Sequence, residues 1–231
     1  MGYIWGGIKQ AIALISHLDP EILEIVWNSV KLSTISTLLA AIVGIPIGII
    51  ISKIDFKGKK LFNTILNTLL SLPTVVVGLA VYSLISYQGP LGQLELLFTA
   101  QGIILGQFIL ILPIIVALVR NAIHEIDDRI YDTAISLGAT GPQRFRLLIS
   151  EARYGIIGAI IAGYGRVIGE VGISMMLGGN IRRVTRTITT AIALETNKGR
   201  FSFGIALGLI LLSISFVVNF LIYYLQTGDR R

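Results

Sequence analysis

Five stretches of this chain are each long and apolar enough to cross a lipid bilayer, and that restricts it to a bundle of membrane-spanning helices. They run over residues 27–51, 61–87, 102–119, 154–177 and 201–225. Roughly 20 apolar residues cover about 30 Å of hydrocarbon. Each backbone polar group buried there must find its partner within the protein. The expected fold class is therefore an all-α membrane protein with five transmembrane helices. Only 14% of the 231 residues are charged, against about 25% for soluble domains. The net charge of +6 does not imply nucleic acid, because the basic residues flank apolar segments instead of forming a soluble patch. The chain has no cysteine, which excludes disulfides, thiolate metal sites and cysteine nucleophiles.

The apolar run over residues 3–18 is too short to cross comfortably. Its polar residues pair seven apart, Lys9 with Ser16 and Gln10 with His17, which places them on one helical face. Residues 1–24 are therefore expected to form an interfacial amphipathic helix, and 25–231 the transmembrane domain. A partial sixth span is the alternative. A cleaved signal peptide fits less well, since no basic stretch precedes the apolar run and no small-x-small cleavage site follows. Lys53, Lys57, Lys59, Lys60, Arg120, Arg129, Arg144, Arg146 and Arg153 fall in segments that would share one side. The bias of positive charge puts that side in the cytoplasm, with the N-terminus outside and the C-terminus inside. The outer segment 178–200 breaks the rule with Arg182, Arg183, Arg186, Lys198 and Arg200, so its basic character needs another reason.

Gly-x-x-x-Gly occurs at Gly44/Gly48, Gly102/Gly106, Gly165/Gly169 and Gly204/Gly208. Small residues let helix backbones approach closely in lipid, so four such pairs predict a tight bundle. Pro46, Pro73 and Pro113 each fall within an expected span and should bend it. Arg166 and Glu170 lie four apart in the fourth span, on one helical face. A charge at mid-bilayer costs about 3 kcal/mol, so the pair either locks the helix into the bundle or lines a polar pathway or gate. Nothing points to catalysis. His17 and His124 are isolated, no carboxylates cluster at metal spacing, and no Gly-x-Ser-x-Gly is present.

Between the third and fourth spans runs a charged, water-soluble segment over about 129–153. Ile130, Ala134 and Leu137 recur at helical spacing, and Gly138 suits a left-handed cap. Thr140-Gly141-Pro142 restarts a helix, with Pro142 fit for its first position. Phe145, Leu148, Ile149 and Ala152 then form an apolar edge. The pattern predicts helix, tight turn, helix: a blunt knob able to dock a partner, or to lie against lipid headgroups.

Asp132-Thr133-Ala134 followed by Gly138 resembles the Glu-Ala-Ala…Gly loop of the permease subunits of type I ABC importers. It departs from that loop in Asp132 for Glu, Thr133 for Ala, and Ser150-Glu151 for the usual Leu-Pro ending. The run from Gly165-Arg166-Val167-Ile168-Gly169-Glu170-Val171-Gly172 through Gly179-Asn180-Ile181 to Thr185-Arg186-Thr187 resembles the Arg-x-x-Gly-Glu-x-Gly…Gly-Asn-Ile…Thr-x-Thr run of molybdate and tungstate permeases. Residues 72–79 (Leu-Pro-Thr-Val-Val-Val-Gly-Leu) and Gly89-Pro90-Leu91-Gly92 are similar to the tungstate branch of that group.

The resemblance implies that the knob is a coupling helix seated in an ATPase subunit, through Asp132, Ala134, Gly138, Gly141, Pro142, Arg144 and Phe145. It further implies a homodimer in the cell membrane, two copies of a cytoplasmic ABC ATPase that bind ATP and Mg, and an extracytoplasmic oxyanion-binding protein. The chain itself would bind no cofactor, since it lacks the Gly-x-x-x-x-Gly-Lys-Ser/Thr loop that cradles phosphates. Arg166 and Glu170 become candidates for the pathway or gate. Arg182, Arg183 and Arg186 become candidates for an outer entrance that draws in an anion or pairs with the binding protein. The cargo would be tungstate, with molybdate, sulfate or another small anion as alternatives. From other classes, a passive anion channel using Arg166 as its filter or an intramembrane enzyme would also place charge in the bilayer.

Overall fold

The computed structural model describes residues 19–227, with Gly6, Ile8, Lys9, Ile12, Ala13, Ser16 and His17 before them. The expected amphipathic helix over the first 18 residues thus falls largely outside the described residues. Residues 19–227 form ten α-helices and no strand. Helix α1, Pro20–Lys53, starts well before the expected 27 because its cap is strong: Asp19 Oδ1 accepts from the backbone N–H groups of Glu21 (2.8 Å) and Ile22 (3.3 Å), and Pro20 holds the first position. Its 34 residues reach about 50 Å, so α1 runs the full height of the bundle and beyond.

The second expected span is two helices. Helix α2, Lys59–Leu70, and α3, Thr74–Ile85, meet at 102°. Pro73 has no N–H to continue a helix and forces Leu72 out of helical geometry. Lys59, Asn63, Thr64, Asn67 and Thr68 give α2 a polar side that hydrocarbon would not accept. After a short 3-10 turn at Gly92–Leu94, α4, Ala100–His124, forms the central strut. Its Ile111, Ile115, Val119 and Ile123, each four apart, are fully buried in the main core with residues of α1, α3, α7 and α8. Pro46 and Pro113 sit inside α1 and α4 without ending either helix. Only Pro73 marks a break.

Helices α5, Asp128–Ser136, and α6, Gly141–Glu151, build the knob. The fourth span is also broken, with α7, Arg153–Ile168, and α8, Gly172–Gly178, bent by 62°. The segment expected to be an outer loop folds as α9, Ile188–Asn197, and packs into a second core. There Ile188 and Ala191 meet Ile22 and Ile25 of α1 and Ala206 and Leu207 of α10, Phe201–Thr227.

The glycine pairs divide. A Cβ at Gly44 or Gly48 would meet Ile115, Val116 and Val119 of α4 at 2.9 Å, and one at Gly106 would meet Leu177 and Ile173 of α8 within 2.6 Å. These are close packing surfaces. Gly165 and Gly208 have open space beside them, and a Cβ at Gly169 or Gly204 would meet nothing closer than 3.4 Å. Within a single chain the third and fourth pairs therefore do not bring helices together.

Candidate functional site

At the knob, the helix-turn-helix expected from Ile130 to Ala152 forms. Helix α5 ends in a Schellman cap: Gly138 takes φ +76°, its N–H donates to Ile135 O (2.9 Å), and Ala139 N–H donates to Ala134 O (2.9 Å). Helix α6 begins at Gly141, one residue before Pro142, and Gln143 Oε1 closes the turn by accepting from Thr140 N–H (2.7 Å). The apolar edge of α6 faces the bundle. Leu148 and Ala152 are buried in the main core, and Phe145 and Ile149 pack half-buried against it. The free apolar surface belongs instead to α5, where Leu137 is 82% exposed and Ile130 and Ile135 stand out beside it. Asp132, Gly138, Gly141 and Pro142 are exposed, while Ala134 is half-buried. Between the two helices lies an open cleft of about 730 Å³, lined by Arg129, Ile130, Thr133, Leu137, Gln143 and Leu147.

A contact with no local sequence signal ties the knob to α1. Lys53, at the end of α1 and only 14% exposed at its side chain, donates to Asp128 Oδ1 at 2.8 Å. Its ammonium also lies 5.0 Å from the centre of the Tyr131 ring, and the Arg144 guanidinium lies 5.9 Å from the same ring. The hydrogen bond and charge of Lys53 hold the Asp128 carboxyl below its usual range.

At the break in the fourth span, Glu170 Oε2 accepts from Arg166 Nη1 at 2.8 Å, so the expected pair forms. The other oxygen, Oε1, accepts from Gly172 N–H (2.9 Å) and Ile173 N–H (3.3 Å), capping α8, and Thr189 of α9 donates to the Glu170 backbone carbonyl (2.8 Å). Three segments therefore converge on one residue, whose carboxylate side chain is 3% exposed. Its Arg166 partner is 40% exposed, beside the open faces of Gly165 and Gly169. Chemically, this is a fixed negative charge that holds a partly accessible guanidinium in place.

At the opposite end from the knob, Arg182 and Arg186 both pair with Glu21 (2.9 and 3.2 Å), and Arg183 lies 3.9 Å from Glu24. The structure thus clamps the basic turn onto the start of α1. Arg186, 11% exposed and also donating to Asn180 Oδ1 (3.3 Å), is committed to that clamp. Arg182 and Arg183 remain mostly exposed. Glu170 has a counterpart among the buried carboxylates. Glu195 is also buried, paired with Lys198 (3.4 Å) and Arg200. Its two cations, three and five residues on, were the available signal. Among the described residues no group of three His, Asp or Glu could hold a metal.

A helical membrane bundle with broken second and fourth spans, carrying a two-helix knob at one end, is the architecture of a transporter's membrane subunit. The chain belongs to the family of binding-protein-dependent transport system inner membrane components, whose family model matches residues 44–230. It is a permease subunit of ABC transporters and not an ATPase. It is 43% identical over 226 residues to the tungstate uptake system permease protein TupB of Campylobacter jejuni, covering 98% of this chain and 95% of that protein. To the protein of the same name from Peptoclostridium acidaminophilum it is 38% identical, covering 98% and 99%. Among solved structures, the MetNI methionine ABC transporter in inward-facing conformations matches with a TM-score of 0.70 at 19% identity, over 89% of this chain and 95% of that one. A bacterial alginate ABC transporter matches with a TM-score of 0.69 at 20% identity, over 90% and 78%. These likenesses show the importer permease fold.

Proposed function

We propose that this chain is the translocation subunit of an ATP-driven importer for tungstate. Two copies form the pathway, each knob seats in one cytoplasmic ATPase subunit, and an extracytoplasmic binding protein delivers the anion. The observation that carries the docking role is the exposed apolar surface of α5, presented on a knob anchored to the bundle through Leu148, Ala152 and Lys53. The near-full-length similarity to tungstate uptake permeases supports the cargo. In this reading the N-terminus lies outside and the C-terminus in the cytoplasm. Arg182 and Arg183 face the binding protein, and Arg166 with Glu170 borders the pathway at the two-fold axis, where Gly165 and Gly169 leave room for the second copy.

Energy must enter through the docked ATPase, whose ATP-driven closure would move the knobs and, through α1, α4 and α7, the broken spans. The test is reconstitution of this permease with its ATPase and binding protein in proteoliposomes, measuring ATP hydrolysis against tungstate, molybdate, sulfate and phosphate. Stimulation greatest with tungstate is expected. Selective stimulation by molybdate would favour the second reading, which rests on 31% identity over 209 residues to the molybdenum transport permease ModB of Azotobacter vinelandii. Ion flux without any bound ATPase would overturn the importer reading in favour of a channel. Reversing charge at Arg182 and Arg183 should slow delivery while the permease still assembles with its ATPase.

A further inference from the structure

Where α1, α2 and α4 meet at the knob end, a pocket of about 340 Å³ opens, separate from the knob cleft and from Arg166. Ile51, which lines it, belongs to a small apolar cluster with Leu66, Val116 and Ala117. Ser52, Lys59, Asn67 and His124 contribute to its walls. At its centre the Arg120 guanidinium is held by amide oxygens: Nη1 donates to Asn63 Oδ1 (2.7 Å), and Nε and Nη2 donate to Asn121 Oδ1 (3.3 and 3.0 Å). Both acceptors are neutral. They fix the fork without cancelling its charge, and no carboxylate among the described residues pairs with Arg120. Lys59 shares its own charge with Asp55 (2.9 Å).

A guanidinium carries five N–H donors, and three are used, so two stay uncommitted. Each amide whose oxygen serves Arg120 keeps an NH2 group as a further donor. A half-buried, immobilised cation ringed by neutral donors matches a tetrahedral oxyanion, which accepts many hydrogen bonds and supplies the missing charge. The depth of the pocket agrees. Leu61, Ile65 and Leu69 put an exposed apolar stripe on the other side of α2 from Lys59, Asn63 and Asn67. With that stripe against acyl chains, the polar side lies at the level of headgroup phosphates.

We propose that this pocket binds a phosphate-type tetrahedral oxyanion at the knob-end membrane surface, supplied either as the headgroup of an anionic phospholipid or as a free anion. The full chain in neutral detergent would be titrated separately with inorganic phosphate and with phosphatidylglycerol, reading thermal stability and, by native mass spectrometry, retained lipid. Stabilisation by phosphatidylglycerol alone identifies the lipid source; stabilisation by inorganic phosphate identifies a free anion. In either case Arg120→Gln should weaken the effect about tenfold, while Lys31→Gln, at an exposed position of α1 outside the pocket, should leave it unchanged. Lys59→Gln, on the pocket wall, gives a second, smaller loss should Arg120→Gln fold poorly. Absence of stabilisation by both ligands, or equal stabilisation of wild type and both pocket variants, would overturn the proposal.

Discussion

Replacing Gly48 with alanine tests whether the α1–α4 contact depends on a missing side chain. The new Cβ would stand 2.9 Å from Val116 O and 2.9 Å from Val119 Cβ and Cγ1. Comfortable contact is about 3.5–4.0 Å, so the helices must separate by more than half an ångström. Val116 O is backbone inside α4 and cannot rotate away. Overpacking of this kind costs about 1–3 kcal/mol. Against that, alanine gains about 1 kcal/mol over glycine in a helix interior. Gly48→Ala should therefore fall between neutral and about 2 kcal/mol less stable. Gly208→Ala is the control, because nothing lies within 4 Å of its Cβ position. It collects the same gain in propensity and should stabilise by about 1 kcal/mol. The difference between the two variants isolates the steric cost, roughly 5- to 150-fold in the unfolding constant. Unfolding in mixed micelles with increasing dodecyl sulfate, followed by helical circular dichroism, measures both. If the two variants shift stability equally, the glycine of α1 is not a packing device and the reasoning fails.

Four further outcomes follow from the geometry. Leu137→Ala, at a position 82% exposed, should leave the melting temperature unchanged yet reduce co-purification of the ATPase. Phe145→Ala should lower stability itself by about 1–3 kcal/mol, because that ring packs on the bundle core. Arg186→Gln should destabilise by about 1–3 kcal/mol, since it leaves a largely buried clamp to Glu21 half-made, whereas Arg183→Gln at its exposed 3.9 Å pair should change stability by less than about 0.5 kcal/mol; thermal unfolding distinguishes them. The Asp128 carboxyl is held below its usual range by Lys53, so its contribution is present above the ordinary carboxylate pKa and is lost as pH falls through the lowered one. Limited proteolysis of the knob should thus be constant from pH 7 to 5 and rise only in stronger acid, and Lys53→Gln should remove that acid step.

How much could be read beforehand depends on the range of the forces involved. The five apolar stretches, the Schellman turn at Gly138 and the pairing of Arg166 with Glu170 are local. Each follows from hydropathy, cap chemistry or a spacing of four residues, all legible along the chain. The break at Pro73 had its signal too, in the proline and the polar face of α2, although a window of average hydropathy smooths over it. The direction in which the α6 edge points was not legible, since an amphipathic helix has one apolar side whether it meets a partner or its own bundle. Glu195 escaped notice because its burial comes from the packing of α9, in a segment that reads as a loop.

The chain alone thus set the class: a bilayer solvent admits few backbone solutions, and apolar length selects among them before any contact forms. The folded arrangement settled which glycines touch a neighbour, which arginines are spent on the clamp and which remain available. Glu21 and Arg182 are 161 residues apart and Ser36 and Gln107 71 apart when they meet. Pairings at such separations depend on how the helices cross, and that is set by the simultaneous fit of all of them and by no single segment.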